Sequence, residues 1–304
     1  MPQAHWFFSP LCALLLAPLL LGLINRTKAF VAGRRGPPLV QPYRDVAKSL
    51  RRGAVYGEVT SWLFRLGPVA NLATLMTAIL VLPFGGVGAV VSFSGDLIVL
   101  AGLLALGRFA TVLAALDTGS SFEGMGASRE VHFAALAEPA LLVALAVLVR
   151  VTGGLSLTEI YGAVTIAAWG RALPALALVA TTLVVLELVE NTRIPVDDPT
   201  THLELTMIHE VMVLDHSGPD FGYIQYAAAL KLWILGALFV GLVVPLRSGS
   251  LWLDGGAALL GMAGLAVVIG MVESAMARYR LTRVPQFIVG AATLSVVAFI
   301  VLLV

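Results

Sequence analysis

The sequence predicts an all-α fold: a polytopic membrane helix bundle of about eight transmembrane helices, with amphipathic helices on its inner face. Three observations predict it. Of the 304 residues, 59% are hydrophobic and 12% charged, whereas a soluble domain carries about 25% charged residues. Runs long enough to cross a hydrocarbon core of about 30 Å, which takes roughly 20 apolar residues, recur at 5–25, 68–91, 96–116, 131–151, 170–190, 222–246, 252–273 and 285–304. Finally, the basic residues fall almost wholly on one side of these runs.

The first run lacks Lys and Arg before it and is followed by Arg26 and Lys28, the flank of a retained helix rather than of a cleaved signal peptide. With the N-terminus outside, the inner loops are 26–67, 117–130, 191–221 and 274–284. They collect Arg26, Lys28, Arg34, Arg35, Arg44, Lys48, Arg51, Arg52, Arg65, Arg129, Arg193, Arg278, Arg280 and Arg283. The outer side keeps Arg150, Arg171 and Arg247, and Arg108 and Lys231 fall inside spans. This asymmetry obeys the positive-inside rule. It places both termini on the outer side of the membrane and makes 1–304 a single integral membrane domain. Between the fourth and fifth spans, 156–168 reads as a short helix on the outer face, set off by Trp169-Gly170-Arg171, or as an extension of the fifth span.

In the first inner loop, the turn cluster GRRGPP leads into a helix from Tyr43 to Leu50. Pro42 suits its first turn. Val46 and Leu50 share one face and Arg44, Lys48 and Arg51 point elsewhere, the pattern of an amphipathic surface helix. Taken alone, this segment reads first as a basic anchor on anionic lipid.

The 34 residues from Glu187 to Asp220 hold eight of the eighteen acidic residues and three of the five histidines. Glu187 and Glu190, spaced i, i+3, share a face of the fifth span's inner end. A carboxylate at mid-membrane costs about 2.5–3.5 kcal/mol on insertion scales, so these two need partners, and Arg193 is one turn away. Asp198-Pro199, or Thr201 with Glu204, caps a further helix reaching about Asp215. Leu203, Met207 and Leu214 form its apolar stripe, with Glu210 in the same stripe and His202 and His209 on another face. Asp197, Asp198, Asp215 and Asp220 read as solvated loop carboxylates. Within other spans, Glu138 and Lys231 are candidates to line a polar path. Asp96 is placed at the interface, Glu273 ends the seventh span, and Glu130, beside Arg129, stands where the 117–130 loop re-enters the membrane.

Several function classes are excluded. His209-Glu210 begins like a zincin helix, but Val213 stands where the second histidine belongs. GGVGAV and GMGAS lack the strand–helix context of nucleotide loops. The basic residues lack interleaved aromatics, so no nucleic-acid binding is expected. Cys12 is the single cysteine. No cofactor is therefore assigned to this chain, no metal ligand or catalytic residue is predicted, and any redox metal belongs to a partner.

Three blocks carry a family resemblance: GRRGPPLVQPYRDVAK at 33–48, SSFEGMGASRE at 120–130 and ENTRIPVDDPTTHLELTMIHEVMVLDHSGPD at 190–220. Over about residues 5–304 the chain resembles the membrane subunit that respiratory complex I (subunit 1, or H type) shares with energy-converting and formate-hydrogenlyase-type group 4 nickel–iron hydrogenases, closest to the hydrogenase branch. The resemblance implies a membrane anchor without chemistry of its own. Its partners would be the hydrophilic hydrogenase large and small subunits, an iron–sulfur (Fe-S) subunit and antiporter-like membrane subunits, with Fe-S clusters and possible Ni-Fe chemistry carried by those partners. It also implies the start of an acidic channel, to which Glu130, Glu138, Glu187, Glu190, Arg193, Glu204, Glu210 and Lys231 are assigned. Gly33, Arg34, Gln41, Asp45, Arg129, Asp197, Asp198, His202 and His209 are assigned to subunit docking. In complex I the 33–48 region helps shape the quinone cavity; quinone binding is not predicted for this chain. The competing readings are an autonomous secondary cation transporter, which calls for an inverted repeat the sequence does not display, a quinone-binding complex I subunit, and a structural anchor with silent carboxylates.

Overall fold

The computed structural model describes residues 4–197 and 207–303. Ten α-helices follow in order: α1 Phe8–Val31, α2 Gln41–Leu50, α3 Trp62–Val81, α4 Asp96–Asp117, α5 Ser121–Thr152, α6 Leu157–Ala163, α7 Ile166–Glu190, α8 Gly218–Val243, α9 Leu251–Ala275 and α10 Val284–Val301. Among the described residues there is no strand, only an isolated bridge between Phe84 and Val87. Eight helices are long and apolar enough to span a membrane, so the chain is a multi-pass membrane protein. The two short helices, α2 and α6, lie at opposite ends of the bundle.

Helix α8 is central. It packs against α1, α2, α3, α7 and α9, and Trp233 on it is 1% exposed. Small residues let the outer helices close in. A Cβ on Gly67 of α3 would sit 2.6 Å from the Ala114 methyl of α4, so only glycine permits that approach. Outward-facing Leu106, Phe109, Leu260 and Val296 give the bundle the apolar exterior a bilayer requires.

Several boundaries differ from those read in the sequence. The second span is 62–81, not 68–91. It starts where the Ser61 hydroxyl accepts the Leu63 N–H and stops before Pro83, which has no N–H to continue a helix. The 120–130 block is not loop but the first turns of α5, leaving only residues 118–120 between α4 and α5. Trp169-Gly170-Arg171 lies within α7, which begins at Ile166 behind a Thr165 cap. The break occurs instead at Ala172, which is non-helical (φ −127°, ψ 33°) two residues before Pro174. Of 156–168, residues 157–163 form the separate short helix α6, with a Ser156/Glu159 capping box, and 166–168 open α7.

Asp96 is not a solvated interfacial carboxylate. It is fully buried, accepting the Leu157 N–H at 2.7 Å and the Ser156 hydroxyl at 2.9 Å, and so pins α6 to the start of α4. The helix expected up to Asp215 is, over its described part, a 3-10 turn at Glu210–Val213. Met207 is buried while Leu214 is 50% exposed, and both lie outside that turn, so these two do not share an apolar stripe. Asp198, His202, Leu203 and Glu204 lie outside the described residues.

Candidate functional site: a buried charge network at the basic end

Arg108 of α4 is the hub. Its Nε lies 3.3 Å from Glu130 of α5, its Nη1 bonds Glu138 two turns further along α5, and its Nη2 donates to both oxygens of Glu190 at 2.7 and 2.6 Å. Lys231 of α8 reaches Glu190 at 2.9 Å. Glu138 and Lys231 are thus joined through Arg108 and Glu190 rather than by direct contact. Two cations face three carboxylates, with the Arg108 side chain 7% exposed and Glu190 8%. Buried charges persist only when paired this closely.

Glu187 and Glu190 share the end of α7 but not a partner. Glu187 is 1% exposed, and neither of its carboxyl oxygens has a hydrogen-bond partner. Its surroundings are apolar: Leu20, Ile24, Leu232, Met262, Leu265 and Ile269. Arg193, expected beside these two glutamates, pairs instead with Glu273 of α9 at 3.3 Å, and Lys28 of α1 holds the same carboxylate at 2.8 Å. The turn after α7 explains the redirection. Thr192 has φ +47°, left-handed and unfavourable for a β-branched residue. The Arg193 N–H returns to Leu188 O, which reverses the chain and aims Arg193 toward α9.

Two cavities meet at this turn. One of about 60 Å³ surrounds the hub, lined by Asn71, Thr111, Glu130, Glu190 and Lys231 among others. The other, about 330 Å³, lies between α1, α2 and α8 and is lined by Asn25, Asp45, Val46, Glu210 and Gln225. Asn191, Thr192, Arg193, His209 and Ala228 line both. Burial holds the His209 imidazole below its usual range, against the pull of the Glu130 carboxylate.

Residues assigned to docking separate into two groups. Gly33 (φ +65°) and Arg34 form an exposed turn after α1. The others among the described residues face the chain itself. Gln41 donates to Asp45 at 2.8 Å, and Asp45 borders the larger cavity. Arg129 donates to Met207 O at 2.8 Å. Asp197, 2% exposed rather than solvated, pairs with Arg278 at 2.8 Å and accepts the Ile208 N–H. Asp220 is likewise buried, whereas Asp215 is exposed. Gly126 shows why the 120–130 block is glycine-containing: a Cβ there would lie 2.3 Å from Val211 and 2.9 Å from Ile208 O, so the glycine seats the 207–213 segment on α5.

Sequence reasoning left out Arg108, Glu273 and Lys28 as site residues. Arg108 carried a usable signal, an arginine in the middle of an apolar span. Glu273 and Lys28 stand at helix ends, where charges are ordinary, and only the packing of α1 against α9 brings them together.

A polytopic helical bundle whose interior holds paired charges defines a class of membrane subunit, not a soluble catalyst. The chain belongs to the NADH dehydrogenase family, whose profile matches residues 6–304. It is 33% identical to formate hydrogenlyase subunit 4 of Escherichia coli K12 over 293 residues, covering 94% of each chain. It is 34% identical to hydrogenase-4 component C of the same organism over 233 residues, covering 76% of this chain and 72% of the relative. The H-type subunit of NADH-quinone oxidoreductase from Verminephrobacter eiseniae is 28% identical over 252 residues, covering 74% and 68%. The fold is shared with a chain of the membrane-bound sulfane sulfur reductase, an archaeal respiratory membrane complex, at a TM-score of 0.81, 17% identity and 98% coverage of both chains.

Proposed function

We propose that this chain is the membrane-anchoring, proton-channel subunit of a hydrogenase-like redox complex in a bacterial cytoplasmic membrane. The observation that carries the reading is a row of polar and charged side chains between two cavities. It starts at the larger cavity beside α2, passes the 191–193 turn, follows Glu190, Lys231 and Arg108, and reaches Glu138, whose side chain is 41% exposed on the bundle's flank. A carboxylate left facing hydrocarbon is costly, so Glu138 marks where an antiporter-like membrane subunit covers the chain and receives the proton. The basic end, with the Gly33–Arg34 turn and the exposed face of α2, takes the hydrophilic arm. That arm comprises hydrogenase-type large and small subunits and an Fe-S subunit, which carry the redox groups. Both termini lie on the opposite side.

The relay works by exchange of partners. Glu190 is held by two cations from different helices, so a proton arriving from the larger cavity displaces one of them, and Arg108 passes the change to Glu130 and Glu138. An autonomous transporter would move ions as a purified chain in liposomes; this reading expects none. In the intact complex, Glu190→Gln is expected to assemble and to lose redox-linked proton movement. Assembly together with unchanged proton movement would refute the channel.

A further inference from the structure

Lys28, Arg193 and Glu273 form a triad that the route above does not use. Its carboxylate is 0% exposed in the side chain, and two cations share it. One positive charge is therefore surplus, and of the two cations Arg193, at 12% against 24% for Lys28, is the more buried, a costly place for it unless another carboxylate is near. Glu187 is that carboxylate. Ile24 and Ile269, which wall its pocket, stand four residues, about one helical turn, before Lys28 and Glu273 on their helices, so the Glu187 pocket adjoins the triad. The guanidinium has capacity to spare: it makes one contact to Glu273, through Nη1, and its Nε has no partner. A buried carboxyl group without a partner either keeps its proton or takes a cation.

We propose that Glu273 is a positioning residue that parks Arg193 at the neck between the two cavities, and that Lys28 holds Glu273 when Arg193 crosses to Glu187. In the parked state Glu187 keeps its proton. When Arg193 crosses, the Glu187 O–H bond breaks, its proton leaves through the cavity around the hub, and Arg193 neutralises the carboxylate. This deepens the proton-channel reading by supplying its gate and rests on that reading for its consequence, though not for its geometry.

The test is infrared spectroscopy of the intact complex in lipid, following the protonated-carboxyl C=O band that Glu187→Gln removes. In Glu273→Gln that band is expected to be largely lost, because Arg193 then has only Glu187. It is expected to return in Glu273→Gln/Arg193→Gln and to persist in Glu273→Asp. Lys28→Gln, which leaves Arg193 as the only cation on Glu273, is expected to strengthen it. A merely structural role would not move the band in opposite directions. Parking is overturned by a wild-type complex without the band, by an undiminished band in assembled Glu273→Gln, or, should that variant not assemble, by an unchanged or weaker band in Lys28→Gln. If the band shifts as expected while Glu190→Gln leaves proton movement intact, the parking stands and the channel reading alone falls.

Discussion

At the scale of single residues, the site is governed by how few cations serve many carboxylates. Arg108 touches three of them, so its loss is not a local event. Arg108→Met leaves Glu130 and Glu138 without a contacting cation and Glu190 with Lys231 alone. Breaking a buried pair costs about 3–5 kcal/mol, and a drop of that size is expected in the thermal stability of the complex. Arg108→Lys keeps the charge but loses the branched donor set, so it should fall between. His216 makes a different prediction. It stacks on Phe64 with ring centroids 3.9 Å apart, its Nδ1 has no partner, and burial pulls its imidazole down to about 4. A histidine depressed when folded adds stability above its unfolded value of about 6.5 and loses it as the pH falls toward the folded value. The stability of the loop that carries it is therefore expected to decline between about pH 6.5 and 4, by at most ~3 kcal/mol. His216→Phe, which keeps the stack and removes the titration, should flatten that decline in a pH series of melting temperatures.

At the scale of elements, Asp96 shows what the sequence could and could not convey. The spans were legible because eight apolar runs of bilayer length have no soluble explanation. The termini of those runs were less so, since they depend on hydrogen bonds from residues distant in sequence. Asp96 opens α4, where an acid suits the helix dipole, and nothing local reveals that its oxygens belong to Ser156 and Leu157 sixty residues on. The same holds at the site. Glu130, Glu138, Glu187, Glu190, Arg193 and Lys231 were readable as charges needing partners, but the choice of partner follows from helix packing: Arg193 went to α9 because its turn points there, and Arg108 took the three carboxylates. Asp96→Ala leaves the buried Leu157 N–H unsatisfied, at a cost of about 1–3 kcal/mol, while the Ser156 hydroxyl keeps its bond to Ser92. Hydrogen exchange across α6 is expected to quicken, while α5 and α7 stay protected.

At the scale of the whole molecule, the charge asymmetry becomes geometry. Successive spans run in opposite directions, so α1, α4, α7 and α9 end where α3, α5, α8 and α10 begin. The turn after α1, the surface helix α2, the 191–197 turn and the 207–217 segment all gather at that one end. Fourteen of the nineteen Lys and Arg residues belong to the segments at that end, and the positive-inside rule predicts that this end faces the cytoplasm. The larger cavity, lined by α2 and the 191–193 turn, lies at that end, so on the proton-channel reading orientation decides which compartment supplies the protons. A reporter that matures only in the cytoplasm should light up when inserted after Arg52 and stay dark when fused after the last residue; a periplasmic reporter should give the reverse. If both fusions instead reported the opposite sides, the proton source would be the outer compartment, and a redox arm could not dock on the end that carries the cavities.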